Sequence, residues 1–177
     1  MGPTRRPLIL GSFGLLGGIV GYQDGEILVF EVGGRRYGLP ASDVGEIVRA
    51  VAIVPLPLAP AHLEGVVNLR GHVIPVHDLR ARLGLPAKAV EPSDRLILTR
   101  SRGSPVALRI DRAVDLIRLD AADVESIEGD ASNRGGIVGV AKLSGGLAPI
   151  LDLDGLVAGA ESHVPERGSH AEPEVRR

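Results

Sequence analysis

The sequence has no cysteine and no tryptophan, and only 2% of its residues are aromatic. The absence of cysteine excludes disulfides, cysteine nucleophiles and thiolate metal sites, and it is compatible with a cytoplasmic protein. With few aromatic rings and a net charge of −2, the chain offers neither the stacking platforms nor the basic surface typical of nucleic-acid-binding proteins. The core must therefore be built from the aliphatic residues that dominate the 44% hydrophobic fraction.

The two ends of the 177-residue chain differ in composition from its middle. Residues 1–25 combine a basic start with an apolar stretch, Leu8 to Val20, which has some features of a signal peptide. Glycines interrupt this stretch, no A-x-A cleavage pattern follows it, and it is too short to cross a bilayer as a helix. We therefore expect a disordered leader over 1–25 and a disordered, polar tail over 160–177.

The middle of the chain contains an internal repeat. GVVNLRGHVIPVHDL (65–79) aligns without a gap with GVAKLSGGLAPILDL (139–153), at an offset of 139 − 65 = 74. A weaker match, mainly of apolar positions, relates 27–48 to 96–117 at an offset of 96 − 27 = 69. Two copies of one small unit are therefore expected, with a longer middle loop in the second copy.

Each copy has the pattern of an all-β unit. In the first copy, the β-branched and aromatic run Ile27 to Val32 precedes Gly33-Gly34, which suits a hairpin turn. Further along, Asp43 with Glu46 could cap one short helical turn, and Val51 to Val54 is expected to form a short strand that ends at a proline. The second copy repeats this design.

The number of predicted strands indicates how the sheets are arranged. About five short strands are expected in each copy, and closure into a small barrel would remove the exposed sheet edges. Asp78 and Asp152 are each expected to cap a short helix after the last strand. We therefore predict an all-β body over 26–159, made of two tandem five-stranded barrels over 26–86 and 94–159.

The duplication is an internal control on which residues the fold requires. Shared positions such as Gly65 and Gly139 are expected to serve the common fold, whereas divergent positions are free for other roles. Arg70, in a hairpin turn just after Asn68, corresponds to Ser144, so the fold does not require arginine there. From the repeat alone, two interpretations stay open: a solvated hairpin arginine, or a contact residue whose planar guanidinium recognises carboxylates or backbone carbonyls.

The sequence contains no constellation of residues that predicts a reaction. There is neither a phosphate-binding glycine loop nor a G-x-S-x-G motif. His72, His77 and Asp78 are close in sequence, but residues five apart on a strand point to opposite faces, so we predict no metal site. Glu125 and Glu128 are explained by a solvated loop. We predict no catalytic residue and no cofactor, which favours protein–protein contact over the alternative, an enzyme that binds a small ligand.

Three segments of the sequence resemble CheW-like domains, the coupling or adaptor proteins of bacterial chemotaxis. They are FEVGGRRYGLPASDVGEIVRA (30–50), PLAPAHLEGVVNLRGHVIPVHDLRARLGLP (57–86) and VALRIDRAVDLIRL (106–119). The resemblance runs from about Glu26 to about Val157 and implies two five-stranded SH3-like barrels, in agreement with the repeat.

The resemblance also implies a function. The chain would be a non-catalytic, cytoplasmic adaptor that joins the cytoplasmic tip of a chemoreceptor to the histidine kinase CheA. The regulatory domain of that kinase is itself similar to CheW and would pair with the chain barrel to barrel, and self-association in array rings is a further option. A coupling protein of a related array that controls pili, gliding or development is the alternative.

Carried over by position, the resemblance implies partner-binding residues in both copies. These are Val44, Glu46, Gly65, Asn68, Arg70 and Leu116. Other interpretations remain: Val44 and Leu116 could be core residues, Glu46 a helix cap and Gly65 a backbone requirement. Arg70 gains most from the resemblance, because arginine is enriched among interface hot spots.

One residue departs from the family pattern. His77 stands where the family has an aliphatic residue and where the second copy has Leu151. The sequence leaves open whether this histidine is partly buried or lies at an edge that a partner covers.

Overall fold

The computed structural model describes residues 25–129 and 135–158, together with the backbone of Phe13–Leu16 (β1) and Ile19–Tyr22 (β2). β1 and β2 pair as an antiparallel hairpin. In these two strands the structure differs from the disordered leader that the sequence predicts, because their backbone groups pair with one another. The predicted disorder of the tail, 160–177, lies outside the described residues.

The remaining strands follow the alternation of apolar runs and turns in the sequence. Their bounds are Gly25–Val32 (β3), Arg35–Pro40 (β4), Glu46–Arg49 (β5), Leu63–Leu69 (β6), His72–Asp78 (β7), Arg95–Ser101 (β8), Ser104–Ile110 (β9), Arg112–Leu119 (β10), Val124–Ser126 (β11), Ile137–Leu143 (β12) and Gly146–Leu151 (β13). Two short helices, Leu79–Arg82 (α1) and Leu153–Ala158 (α2), follow β7 and β13. The Asp78 carboxylate accepts the Arg80 N–H at 2.9 Å, and the Asp152 carboxylate accepts the Gly155 N–H at 2.6 Å, so both predicted helix caps are confirmed.

Two sheets close into two barrels. The first barrel has the strand order β10-β3-β4-β13-β12-β11, and the second has the order β5-β8-β9-β7-β6. β10 and β11 are consecutive in the chain, separated by a 3-10 turn at Ala121–Asp123, but lie at opposite edges of their sheet, so this segment closes the first barrel. In the second barrel, Val54 follows β5 and exchanges two backbone hydrogen bonds with Val66 of β6, at 2.8 and 2.9 Å.

Each barrel takes strands from both copies of the repeat. β3 and β4 lie in the first barrel with strands of the second copy, and β8 and β9 lie in the second barrel with strands of the first copy. Parallel pairing joins the exchanged hairpins to their hosts, between β4 and β13 and between β9 and β7. The assignment of one barrel to 26–86 and the other to 94–159 is therefore wrong, because a repeat identifies equivalent strands but not which copy supplies each partner.

The segment between the hairpins of the first copy also differs from the prediction. The structure has a 3-10 turn at Ala41–Asp43 without a side-chain cap, and Glu46 begins β5 instead of capping a helix. Val51 to Val54, predicted as a strand, contributes only the single bridge at Val54. The reason is that Glu46–Arg49 gains an antiparallel ladder with β8, which no local pattern in the sequence reveals.

Within the described residues, apolar side chains form three clusters: one inside each barrel and the largest between the barrels. The cluster between the barrels contains Phe30 and Tyr37, whose rings stack with centroids 6.2 Å apart, and it is covered by Leu79 of α1 and Leu156 of α2. Burying apolar surface stabilises a structure by about 25 cal/mol per Å². The burial of this cluster therefore holds the two barrels together. The interface between the two barrels, here called the seam, is therefore filled by side chains. A partner can reach only the rim of this seam.

A buried ion-pair network fixes the chain that links the two copies. Arg109 of β9 is 3% exposed, and its guanidinium contacts Glu64 at 2.6 Å and the fully buried Asp94 at 3.2 Å. Lys88 also binds Asp94, at 3.0 Å. Because each buried charge has an opposite charge within reach, the network is tolerated in the interior and specifies how the linking segment lies on the second barrel.

Candidate partner-binding surface

A groove on the second barrel begins at the 3-10 turn that precedes β5. The Gly45 N–H donates to the Leu98 carbonyl at 2.9 Å, and the Thr99 hydroxyl donates to the Asp43 carbonyl. These bonds tie the turn to β8 and leave Val44 half-buried against the core between the barrels. Val44 therefore has one side packed inward and also lines a cavity of about 480 Å³.

Arg70 lies in the turn between β6 and β7, with its side chain 81% exposed. Its φ is 53° and that of Gly71 is 85°, so both residues adopt the left-handed conformation, which suits glycine but is uncommon for arginine. Its Nη2 lies 3.1 Å from Oε1 of Glu46 at the start of β5. This exposed pair spans the two edges of the second barrel and contributes at most about 1 kcal/mol.

An apolar floor lies beneath the Glu46–Arg70 pair. The pair lines a cavity of about 460 Å³ together with aliphatic side chains of the second barrel, which are Val48, Leu69, Val73, Ile74 and Leu98. Glu46, Leu98 and Arg100 line both this cavity and the one at Val44, so the two form a continuous groove. The structure thus brings together three of the predicted site residues: Val44, Glu46 and Arg70.

Gly65 and Asn68 each have a structural role in β6. A Cβ atom at Gly65 would lie 2.2 Å from the carbonyl oxygen of Val54, at the bridge that closes the barrel. The Asn68 Oδ1 accepts the Gly71 N–H at 3.1 Å and so stabilises the hairpin turn. Asn68, two residues before Arg70, is exposed, whereas Gly65 is buried. A partner can therefore reach Asn68 more easily than Gly65.

Leu116 lies on the first barrel, apart from the groove. It stands opposite Leu28 in the pairing of β10 with β3 and is 55% exposed, so the alternative that it is a core residue is wrong. Leu28 belongs to the core between the barrels, and cross-strand neighbours share a face of the sheet. Leu116 therefore lies at the rim of the seam, and Val44 packs against the same core from the second barrel.

The groove carries charges of both signs. Arg70 lies at one end, Glu46 and Arg100 lie where the two cavities join, and Asp43 lies at the other end. Burial raises the pKa of the Asp43 carboxyl above its ordinary value. Within the described residues, no group of three histidines, aspartates or glutamates is placed to hold a metal ion. Two guanidinium groups above an aliphatic floor suit recognition of carboxylates and apolar side chains on another protein.

The structure separates the two histidines of β7. His72 is exposed and lines the groove, whereas His77 is 4% exposed, so they diverge as predicted. The ring of His77 stacks on that of His62, with centroids 6.0 Å apart. Sequence reasoning did not find this pairing, because His62 lies fifteen positions earlier (77 − 62 = 15) and meets His77 only through the register of β6 on β7.

Sequence reasoning also missed two residues of the groove itself. Arg100 reaches it from β8, which the repeat assigned to the other barrel, and Val73 was read only as part of a hairpin strand. Val73 is 65% exposed although it stands in an apolar run. The signal that could have found it is the position next to the turn, where the strand emerges from the barrel.

Comparison with known proteins identifies the family. The CheW-like domain model matches residues 26–161. The chain belongs to the CheW-like domain family. It is 34% identical over 110 residues to the chemotaxis protein CheW of Rhizobium meliloti, covering 61% of this chain and 70% of that protein. It is 34% identical over 101 residues to the chemotaxis protein CheW of Bacillus subtilis, covering 57% and 65%.

A third relative and a solved structure extend this comparison. Protein FrzA of Myxococcus xanthus is 33% identical over 109 residues, covering 60% of this chain and 68% of that protein. The crystal structure of the scaffolding protein TtCheW from Thermoanaerobacter tengcongensis matches with a TM-score of 0.67 and 31% identity, over 74% of this chain and 90% of that one. The alignments thus span about two thirds of the curated relatives. The CheW-like fold of two SH3-like barrels is confirmed, and the chain is an adaptor of chemotaxis signalling.

None of the helices in the described part of the chain combines the length and the apolar character that a membrane crossing requires.

Proposed function

We propose that this chain is a non-catalytic, cytoplasmic adaptor that joins the cytoplasmic tip of a chemoreceptor to the histidine kinase CheA. The receptor would contact the groove and the rim of the seam through Val44, Glu46, Arg70 and Leu116. Asn68 would hold the turn that presents Arg70, and Gly65 would maintain the backbone beneath it. CheA would bind through its own CheW-like domain, barrel to barrel.

The observation that carries this proposal is the setting of Arg70. The residue is exposed, adopts a positive φ, and gains only a solvent-exposed ion pair with Glu46. A left-handed conformation at a residue other than glycine costs of order 1 kcal/mol, which is about as much as an exposed ion pair contributes. The fold therefore gains little from this arginine, and the equivalent turn of the other copy has Ser144 in its place. A contact with a partner accounts for it.

A helix is the kind of receptor element that fits here. The part of the groove beneath Arg70 offers an aliphatic floor with guanidinium groups beside it, which suits an amphipathic helix carrying carboxylates beside its apolar stripe. Each contact would be modest in strength. Many copies held in one array would raise the overall affinity through multivalency.

Arg70→Ala tests the proposal. The variant should melt within about 4 °C of the parent, because an exposed pair contributes at most about 1 kcal/mol to stability. Its affinity for a receptor-tip fragment, measured by co-sedimentation, should fall about tenfold or more, as expected of an arginine hot spot. A large fall in melting temperature would show that Arg70 has a structural role. Unchanged receptor binding would show that it is not a receptor contact. Arg49→Ala, an exposed arginine of β5 outside the groove, is the matched control.

A mixing experiment distinguishes coupling from competition. Kinase, receptor fragment and this protein are combined, and phosphorylation of the kinase is followed. Restored receptor control of the kinase marks an adaptor, whereas loss of control marks a free-standing barrel that competes for CheA. The identity of the array, chemotactic or one that controls pili, gliding or development, is decided by the receptor and kinase genes that flank this one.

A further inference from the structure

A second groove, on the first barrel, combines an apolar floor with a cationic rim. It has a volume of about 400 Å³ and lies between β4, β13 and the end of α1. Its apolar part includes Leu83, Ile137, Pro149 and Leu147, and Leu147 is 70% exposed. The charged side chains that line it are Arg35, Arg36 and Arg82, with no carboxylate among the described lining residues.

The repeat shows which parts of this groove the fold requires. The second barrel has the equivalent groove, in which Pro149 corresponds to Pro75 (149 − 74 = 75) and Ile137 to Leu63 (137 − 74 = 63). The apolar floor is thus common to both barrels. Arg35, however, corresponds to Ser104 (35 + 69 = 104), which lines the other groove. The arginine is therefore an addition to this barrel that the fold itself does not need.

The contacts of the rim indicate which side chains are available to a partner. Arg36 is held in place, since it lies near Glu31 at 3.7 Å and its guanidinium packs over Gly145 of the adjacent turn. Arg35 is exposed, and the described part of the chain supplies no ion pair or hydrogen bond for its guanidinium. Lys142 is also exposed and stands directly opposite Leu147 in the pairing of β12 with β13. Two exposed cations thus lie near an exposed leucine, and neither has an ion-pair partner within the described residues.

We propose that this groove docks an acidic segment of a partner protein, with an aliphatic side chain seated on Leu147 and carboxylates facing Arg35 and Lys142. Charge complementarity selects the partner, because a cationic rim attracts carboxylates and repels basic segments. Arginine also binds carboxylates in a bidentate manner, which gives orientation as well as attraction. The site lies on the first barrel, across β3 and β4 from Leu116 of β10, and does not rest on the receptor contacts proposed above.

A binding titration on the full chain tests this site. The probe is a fluorescein-labelled helical peptide of alternating glutamate and leucine pairs, followed by fluorescence anisotropy at increasing salt. Arg35→Ser, which introduces the residue of the other barrel, should weaken binding about threefold, and Arg35→Glu about tenfold, because exposed charge pairs are modest. Leu147→Thr should weaken binding without changing its salt dependence. Arg118→Glu, the same charge change on the exposed face of β10, should leave binding unchanged.

Several results would overturn the proposal. One is that Arg35→Glu and Arg118→Glu change the affinity for the peptide equally. Another is that a peptide with glutamine in place of glutamate binds as tightly as the original peptide. A third is that the chain binds phosphatidylserine vesicles more tightly than it binds the peptide. Self-association of the chain that Arg35→Glu abolishes would assign the groove to a second copy instead. The expected result is salt-dependent peptide binding that Arg35→Ser and Leu147→Thr each weaken, with melting temperatures unchanged. Retained receptor binding in these variants would keep this site distinct from the proposed adaptor surface.

Discussion

Replacing His77 with leucine should make the protein more resistant to acid. The ring is almost fully buried, stacks on His62, and lies near the cationic Arg82. Burial first, then His62, then Arg82, lower the pKa of His77 from 6.5 to about 4. Among the described residues, neither Nδ1 of His77 nor Nε2 of His62 has a hydrogen-bond partner, so the folded protein gives an added proton no acceptor.

The sign and size of the effect follow from this shift. The unfolded chain takes up the proton near pH 6.5 and the folded chain only near pH 4, so the contribution to stability is fully present above 6.5 and is lost as the pH falls towards 4. The difference is 6.5 − 4 = 2.5 pKa units. At about 1.4 kcal/mol per unit, this gives a loss of about 3 kcal/mol as an upper limit. The pKa of His62 is lowered as well, so it acts in the same direction.

Urea unfolding measures this loss at a series of pH values between 7 and 4. The parent protein should lose free energy of unfolding across the window, and His77→Leu should lose less, by up to about 3 kcal/mol. Leu151 at the equivalent position shows that the fold accepts leucine there. His72→Leu, at an exposed site of the same strand, should follow the parent. Parallel curves for the parent and His77→Leu would refute the reasoning, because another group would then carry the pH dependence.

Three further predictions concern the scaffold. Arg109→Leu leaves the carboxylates of Asp94 and Glu64 without their buried cation, and should cost about 3–5 kcal/mol in urea unfolding; a loss below 1 kcal/mol would contradict the network. Gly65→Ala places a methyl group 2.2 Å from a backbone oxygen, and should lower the free energy of unfolding by more than about 2 kcal/mol, measured in the same way. Residues 26–86 alone lack β8 and β9, so circular dichroism should show an unfolded chain; a cooperative melt would contradict the exchange of strands.

The sequence predicted local features of the fold well and pairing between distant strands poorly. The turn at Arg70, the helix caps at Asp78 and Asp152, and most strand positions depend on neighbouring residues, and the structure has them. The strand composition of each barrel depends on which hairpin meets which, and both copies present the same apolar pattern to either partner. The pattern was therefore equally satisfied by two contiguous barrels and by two barrels with exchanged hairpins.

The candidate site shows the same division. Exposure of Arg70 could be inferred because the repeat marks it as dispensable, and this inference used no knowledge of pairing. The continuity of the groove could not be inferred, because Arg100 reaches Glu46 only when β8 lies beside β5. Likewise, Leu116 could be placed on β10 from the sequence, but its exposure depends on where the seam between the barrels ends.

The exchange of hairpins has a consequence for how the two barrels acquire separate surfaces. Arg70 and Arg35 both come from the first copy, yet they lie on different barrels, because β4 was exchanged and β6 was not. The position equivalent to each arginine in the other copy, Ser144 for Arg70 and Ser104 for Arg35, lacks the charge. Divergence within one copy can therefore alter both barrels. Because the shared apolar core fixes the barrels against each other, changes at these two exposed turns should act on binding independently.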